Sequence, residues 1–177
     1  MHPGLLAREC TVFRAPKRWE KMTLAIALYE PDIPQNAGTI LRLGACLGIP
    51  VHFIGPAGFP TTERAFRRAG LDYLDHATLE NHVNFAAFEE WRRREQRRLV
   101  LLTTKAAVRY CSDVEFRAND ILLCGRESSG VPDTVHQAAD VRVRVPIRAH
   151  LRSLNVAVSL AMVVGEALRQ TGGFPDG

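Results

Sequence analysis

Short apolar runs alternate with helical patterns along most of the chain, and this alternation constrains the fold more than any other feature of the sequence. The runs predict five strands, at 24–29, 51–54, 99–103, 121–124 and 141–145. Helical patterns lie between or after them, at 36–47, 61–70, 85–98, 135–139 and 153–170. Two stretches, 71–85 and 105–119, have no clear pattern. Strands that alternate with helices predict an α/β fold in which a parallel sheet carries helices on both faces.

The last helical segment is apolar on nearly every side. Ser153 or Asn155 suits its N-cap, and residues 156–164 are apolar except for Ser159. A helix that packs only on its own sheet needs no more than an apolar stripe, so two surfaces should cover this one. The second surface is either a second subunit or another part of a larger core. Small residues at four-residue intervals would let it approach closely: Ala157, Ala161 and Gly165.

At 177 residues, the chain has room for one domain. Because the strand pattern begins after Met22, residues 1–22 are predicted to be a disordered N-terminal extension and residues 23–177 a single domain; Met22 is a second candidate for the biological start. The sequence contains no apolar run of about 18 residues and no secretory signal. We therefore expect a cytoplasmic protein without a membrane span. Its four cysteines are far apart, which favours neither a zinc site nor disulfides.

The positive charge is weak support for a nucleic-acid partner. Residues 1–21 hold five cations and two carboxylates, so the rest of the chain contributes only +1 to the net charge of +4. Most of the cations are arginine, which suits bidentate phosphate contact, although GC-rich codon usage also raises the arginine content. We interpret the arginine-rich end of the segment 85–98 as a solvated face rather than an RNA groove. The histidines have no ligand spacing, so no metal is expected.

Ligands of open parallel sheets bind beyond the carboxyl ends of the strands. That rule selects four loops, at 31–36, 103–105, 125–130 and 147–153. The loop GRESSG at 125–130 places glycine where a backbone can approach a ligand closely. It is not a GxGxxG fingerprint, and GxxxxGK[ST], HExxH and GxSxG are absent from the sequence. Dinucleotide enzymes, P-loop nucleotidases and the corresponding hydrolases are therefore disfavoured.

Three longer motifs overlap these loops. They are PDIPQNAGTILRLGA at 31–45, LLCGRESSGVP at 122–132 and VPIRAHLRSLNVAVSLAMVVGEALRQ at 145–170. In this order they resemble the three motifs of the SPOUT class of RNA methyltransferases, and the resemblance covers residues 23–170. Within the class, the chain is most similar to the tRNA (cytidine/uridine) 2'-O-methyltransferases of the wobble nucleotide. RAGLDY at 68–73 and LTTK at 102–105 also match that branch.

The resemblance implies an α/β fold with a C-terminal trefoil knot, a homodimer, and S-adenosyl-L-methionine as cofactor. Carried over residue by residue, it implies cofactor contacts at Leu102, Gly125, Val145 and Ser153. It implies a catalytic neighbourhood formed by Asn36, Arg42, Glu127, Ser153 and Asn155. The sequence departs from the family pattern at Arg126, where many relatives have proline, and in NVAVS at 155–159, where others have a more polar segment.

The implied function is methyl transfer from S-adenosylmethionine to a ribose 2'-hydroxyl of tRNA in the anticodon loop. Two alternatives stay open: 2'-O-methylation of ribosomal RNA or of another tRNA site, and a non-catalytic RNA-binding module with the same fold. In the family that the chain resembles, the arginine that corresponds to Arg42 is sometimes assigned the role of general base. Because a guanidinium stays protonated, we expect Arg42 to act instead by gripping phosphate and by stabilising negative charge on the ribose oxygen.

Overall fold

The computed structural model describes residues 23–61 and 76–176. Its centre is a sheet of seven strands: Ala25–Tyr29 (β1), Val51–Ile54 (β2), Leu79–His82 (β3), Leu99–Leu102 (β4), Val108–Arg109 (β5), Ile121–Cys124 (β6) and Val141–Arg144 (β7). The spatial order is β3-β2-β1-β6-β4-β7-β5, and every neighbouring pair is parallel. The sheet predicted from the alternation of strands and helices is confirmed.

Helices cover both faces of this sheet, as predicted. In the described residues they are Pro34–Leu47 (α1), Phe85–Arg94 (α2), Asp133–Ala138 (α3) and Val156–Thr171 (α4). Helices α1 and α4 pack on one face through residues such as Ile40 and Leu160. Helices α2 and α3 pack on the other face through Phe88 and Val135. None of the described helices combines the length and hydrophobicity needed to span a bilayer. The trefoil knot implied by the family resemblance stays a prediction.

The strands missing from the sequence prediction, β3 and β5, are the two edges of the sheet. Strand β3 reads LENH and is only partly buried, and β5 has two residues. An edge strand has one neighbour and open surface, so it lacks the apolar run that marks a buried strand. The predicted helix at 61–70, the RAGLDY motif and the predicted N-terminal extension lie almost wholly outside the described residues.

The arginines at the end of α2 and just after it belong to a structural network, and the interpretation of this segment as a solvated face is wrong for three of them. Arg92 and Arg97 are buried, and Arg98 is mostly buried. Arg92 binds Glu89 and Asp140, while Arg98 pairs with Asp120 at 2.7 Å. These side chains tie α2 to the amino ends of the central strands. Buried guanidinium groups need such partners because an unpaired charge in the core is costly.

Helix α4 begins where the sequence predicts, but its two sides differ. The Asn155 side chain caps it by accepting hydrogen bonds from two backbone N–H groups. One side packs on the sheet and on α1 through buried residues that include Leu160 and Val163. The opposite side leaves Val158 50% and Met162 40% exposed. The all-round apolar pattern therefore combines a core-facing side with an open apolar side.

Candidate active site

The four loops selected from the sequence meet at one cavity of about 570 Å³. They follow β1, β6, β4 and β7, which are consecutive in the sheet, so their carboxyl ends open to the same place. This volume lies in the range of small-molecule and cofactor sites. Seven of the eight predicted site residues line the cavity: Asn36, Leu102, Gly125, Glu127, Val145, Ser153 and Asn155.

The loop after β6 closes on itself. The backbone groups of Arg126 and Gly130 exchange two hydrogen bonds, of 3.0 and 2.7 Å. A Cβ atom added to Gly125 would lie 2.7 Å from the carbonyl carbon of Gly130 and 2.8 Å from Val131 Cγ1. Glycine is therefore required here because the loop folds back over it. The reason expected from the sequence, space for a ligand, is secondary.

Three polar side chains from distant parts of the chain form a directed series of hydrogen bonds on the cavity wall. Asn155 Oδ1 accepts from two N–H groups of α4, so its amide nitrogen is left to donate to Asn36 Oδ1, at 2.9 Å. The Asn36 amide nitrogen then donates to Glu127 Oε1 at 3.0 Å. The helix cap thereby fixes the orientation of both amides, and Glu127 is the acceptor at the end of the series.

A second group of polar residues holds the rim of the cavity. The backbone N–H of Asp32 donates to Glu127 Oε2 at 3.1 Å, and the Asp32 carboxylate accepts hydrogen bonds from Ser128 and Arg126. Hydrogen bonding with Glu127 and Ser128, with a further contribution from the hydrogen bond and charge of Arg126, lowers the pKa of Asp32 to about 2. Asp32 is thus a carboxylate at neutral pH and links the loop after β1 to the loop after β6. Arg126 also lies 3.7 Å from Glu30.

Part of the remaining wall of the cavity is apolar. Leu102 and Val145 line it beside Cys124, which is fully buried. Burial, with a smaller effect of the Glu127 charge, raises the pKa of the Cys124 thiol to about 12, so the thiol is not a nucleophile at neutral pH. An apolar wall opposite polar side chains and exposed loop backbone suits an adenosyl group, which has a flat aromatic base and a polar ribose. The residues that line the cavity therefore fit S-adenosylmethionine.

Arg42 is the one predicted site residue that does not line the cavity. It is exposed on α1, six residues beyond Asn36. At 100° per residue this separation places Arg42 about 120° around the helix from Asn36, which faces the cavity. The cavity of a single chain therefore contains Asn36 but not Arg42.

Several residues of the site escaped the sequence reasoning: Lys105, His136 and Arg144 in the lining of the cavity, and Asp32 at its rim. Lys105 lies in LTTK and Asp32 in PDIPQN, so both had a signal in motifs already singled out. His136 comes from α3, and nothing in its local pattern marks it as a site residue. Arg144 follows the buried Val143 in β7 and resembles any exposed strand residue.

A parallel α/β sheet with a cofactor-sized cavity at its carboxyl ends, walled by Asn36, Glu127 and Asn155, agrees with the class indicated by the motifs. Residues 23–165 match the model of the SpoU rRNA Methylase family. The chain belongs to that family.

The names of individual relatives are more specific than the description of the family. The chain is 60% identical over 153 residues to a tRNA (cytidine(34)-2'-O)-methyltransferase of Ancylobacter novellus, covering 86% of this chain and 96% of the relative. It is 39% identical to the enzyme with the same name in Escherichia coli K12, covering 84% and 94%.

Two solved structures have a fold similar to that of this chain. One, described as giving insights into "the 2-OH methylation of C/U34 on tRNA", has a TM-score of 0.77 at 39% identity and covers 85% of this chain and 97% of its own. The methyltransferase AviRb of Streptomyces viridochromogenes, in complex with AdoMet, shares the fold with a TM-score of 0.78 at 22% identity; the match covers 92% of this chain and 62% of AviRb.

Proposed function

We propose that the protein transfers a methyl group from S-adenosylmethionine to the ribose 2'-hydroxyl of nucleotide 34 of a tRNA. The observation that carries this proposal is the series of hydrogen bonds from Asn155 through Asn36 to Glu127 on the wall of the cavity. Membership of a methylase family and the names of the relatives support the reaction and its substrate.

Leu102, Gly125, Val145 and Ser153 are the proposed cofactor contacts. When bound, S-adenosylmethionine supplies an electrophilic methyl group on a cationic sulfur. Leu102 and Val145 offer the apolar surface for the base, and the loop that follows Gly125 offers backbone groups. Ser153 lies just before the amino end of α4, where its hydroxyl can hydrogen-bond a polar part of the cofactor.

Glu127 is proposed to orient the substrate hydroxyl. Within the described residues, one oxygen of Glu127 accepts a hydrogen bond from Asn36 and the other from the Asp32 N–H, and each keeps acceptor capacity for another donor. As the carbon–oxygen bond forms and the carbon–sulfur bond breaks, the ribose oxygen becomes more acidic and its proton must leave. A carboxylate hydrogen-bonded to that proton can accept it late in the reaction, when a weak base suffices.

Arg42 and the homodimer are proposed together. The open apolar side of α4 provides a surface for a second copy of the chain, and Arg42 is exposed on α1, the helix that packs against α4. We propose that a dimer formed through these helices presents Arg42 to the cavity of the other subunit. There its guanidinium would grip a phosphate and stabilise charge on the ribose oxygen.

Subunit complementation tests this arrangement. Arg42→Ala and Glu127→Gln should each be nearly inactive alone. Coexpression at equal levels should restore about a quarter of the wild-type activity, because half of the dimers are mixed and one of their two sites is intact. Arg42→Ala mixed with wild type at the same total concentration provides the reference for activity lost by dilution. Complementation no better than the two single variants would contradict a shared site.

The reaction itself is tested by incubating unmodified tRNA with the protein and methyl-labelled S-adenosylmethionine, then identifying labelled nucleosides by mass spectrometry. We expect 2'-O-methylcytidine or 2'-O-methyluridine. A labelled base would overturn the assignment of ribose methylation. Label confined to ribosomal RNA would favour the first alternative, and binding without any label would favour the non-catalytic module.

A further inference from the structure

Two groups of arginines in the described part of the chain differ in how their charge is balanced. Those around α2 are paired within the chain: Arg92 and Arg93 with Glu89, Arg94 with Glu95, and Arg98 with Asp120. By contrast, the side chains of Arg142 and Arg144 on β7 form no ion pair with any residue in the described ranges, and both are exposed. The chain therefore neutralises one arginine cluster and leaves the other available.

The second group lies near the β5 edge of the sheet, on an exposed part of one face. Val143 is fully buried against the core, so its neighbours Arg142 and Arg144 extend from the opposite face. Strand β5 pairs with β7 in a register that sets Arg109 beside Arg144. Side chains two residues apart on a strand are separated by about 6.6 Å, and paired residues on neighbouring strands by about 4.8 Å. The edge of the sheet thus carries three arginines side by side.

Nearby acidic charge only partly offsets this cluster. Asp113 is close enough for Arg109 and Arg144 to contribute to the lowering of its pKa. However, its carboxylate already accepts hydrogen bonds from the Ser112 hydroxyl and the Arg109 N–H. Like charges side by side on a sheet are destabilising, so the fold retains an arrangement that an external polyanion would relieve.

The cationic surface is continuous with the cavity. Arg144 lines the cavity, as does Lys105 at the end of the loop after β4. Two more exposed arginines, Arg148 and Arg152, lie on the loop after β7, which borders the same opening. A strand whose target ribose entered the cavity could therefore continue across β7 and β5 without leaving positive surface.

We propose that the surface formed by Arg109, Arg142 and Arg144 binds the sugar-phosphate backbone of the tRNA next to the nucleotide in the cavity. This inference rests on the proposed function and extends it. Arginine suits the role because its planar donors bind phosphate oxygens in pairs. The surface is continuous with the cavity that is proposed to receive a ribose, which favours nucleic acid over an acidic peptide. Such contacts position the RNA and carry no base specificity.

The test compares two double variants with equal charge loss. Arg142→Ala/Arg144→Ala removes two proposed phosphate contacts, and Arg93→Ala/Arg94→Ala removes two arginines of α2 that are 73% and 69% exposed. Equilibrium binding of unmodified tRNA is measured for both and for the wild type between 0.05 and 0.5 M KCl, settings that change the screening about threefold. Thermal melting checks that all three proteins are folded.

The Arg142→Ala/Arg144→Ala variant loses two single-strand phosphate contacts. The negative slope of log binding constant against log salt concentration should therefore become shallower by about 1.4, and binding should weaken on the order of 25-fold at 0.1 M salt. The α2 variant should bind like the wild type. The Arg142→Lys/Arg144→Lys variant should recover the slope but only part of the affinity, because lysine keeps the charge without the paired donors.

Wild-type affinity and slope in the β7 variant would overturn the proposal, as would an equal loss in the α2 variant. Displacement of tRNA by polyglutamate as effectively as by single-stranded RNA of equal charge would overturn the assignment to nucleic acid. Because binding is measured without methyl transfer, the result of this test is independent of whether the proposed methyltransferase activity is found. A wild type that binds tRNA through β7 but never methylates it would contradict the function and leave this surface in place.

Discussion

Replacing Gly125 with alanine tests whether the closed loop after β6 builds the cofactor site. The new Cβ would lie 2.7 Å from the Gly130 carbonyl carbon, 2.8 Å from Val131 Cγ1 and 3.0 Å from Gly130 Cα. Two of these atoms belong to backbone, so the loop must shift. Overpacking of this kind costs about 1–3 kcal/mol.

That free-energy cost must lower the stability of the protein, its affinity for the cofactor, or both. If the loop moves, S-adenosylhomocysteine should bind about 5- to 150-fold more weakly, the equivalent of about 1–3 kcal/mol. If the loop holds its position, the melting temperature should fall by about 2–4 °C for each kcal/mol. Calorimetric titration and thermal melting of the same preparations measure both effects.

Gly165→Ala is the matched control, since its added Cβ meets no atom within 4 Å in the described structure. It lies within α4, where alanine should raise the stability of the single chain by up to about 1 kcal/mol. Cofactor affinity should stay unchanged in a preparation that sedimentation shows to have the wild-type oligomeric state. A Gly125→Ala protein with wild-type melting and wild-type affinity would refute the reasoning about the loop.

The other predictions concern stability, the catalytic series and the N-terminal segment. Burial, aided by the charges of His82 and Arg97, lowers the pKa of His52 to about 3, below the unfolded value of about 6.5. Its contribution to stability is therefore full above pH 6.5 and lost as the pH falls towards 3. Between pH 6.5 and 5 the free energy of unfolding should drop about 1.1 kcal/mol per pH unit more steeply in the wild type than in His52→Gln; equal slopes in denaturant titrations would contradict this. Asn36→Ala removes the donor to Glu127 and should lower the single-turnover rate about a hundredfold with unchanged S-adenosylhomocysteine affinity, whereas a loss of affinity alone would assign Asn36 to cofactor binding. We propose that residues 23–177 are a self-sufficient domain, so a chain beginning at Met22 should melt and turn over like the full chain, and a collapse of either property would show that the removed segment is structural or binds RNA.

Much of the site was predictable because its position follows from the sheet. Apolar runs such as 121–124 record burial on both faces, so they identify the central strands directly. Once the strands are known, the rule for carboxyl ends brings together loops far apart in sequence. Asn36 and Asn155, 119 residues apart, are hydrogen-bonded as a result.

Other features depend on contacts that no local pattern encodes. The collision that requires glycine at position 125 involves Gly130 and Val131, and it depends on how the loop closes. The buried positions of Arg92 and Arg97 depend on partners in other elements. The arginines of residues 92–98 and those of β7 therefore differ in burial and pairing because carboxylates lie beside the first group.

The most direct test of the proposed activity is methyl transfer to two synthetic tRNAs that differ in one atom. One carries the ordinary ribose at nucleotide 34, and the other carries 2'-deoxyribose there. With labelled S-adenosylmethionine, we expect label in the first RNA at nucleotide 34 and none in the second. Equal labelling of both RNAs would contradict methylation of the 2'-hydroxyl of nucleotide 34.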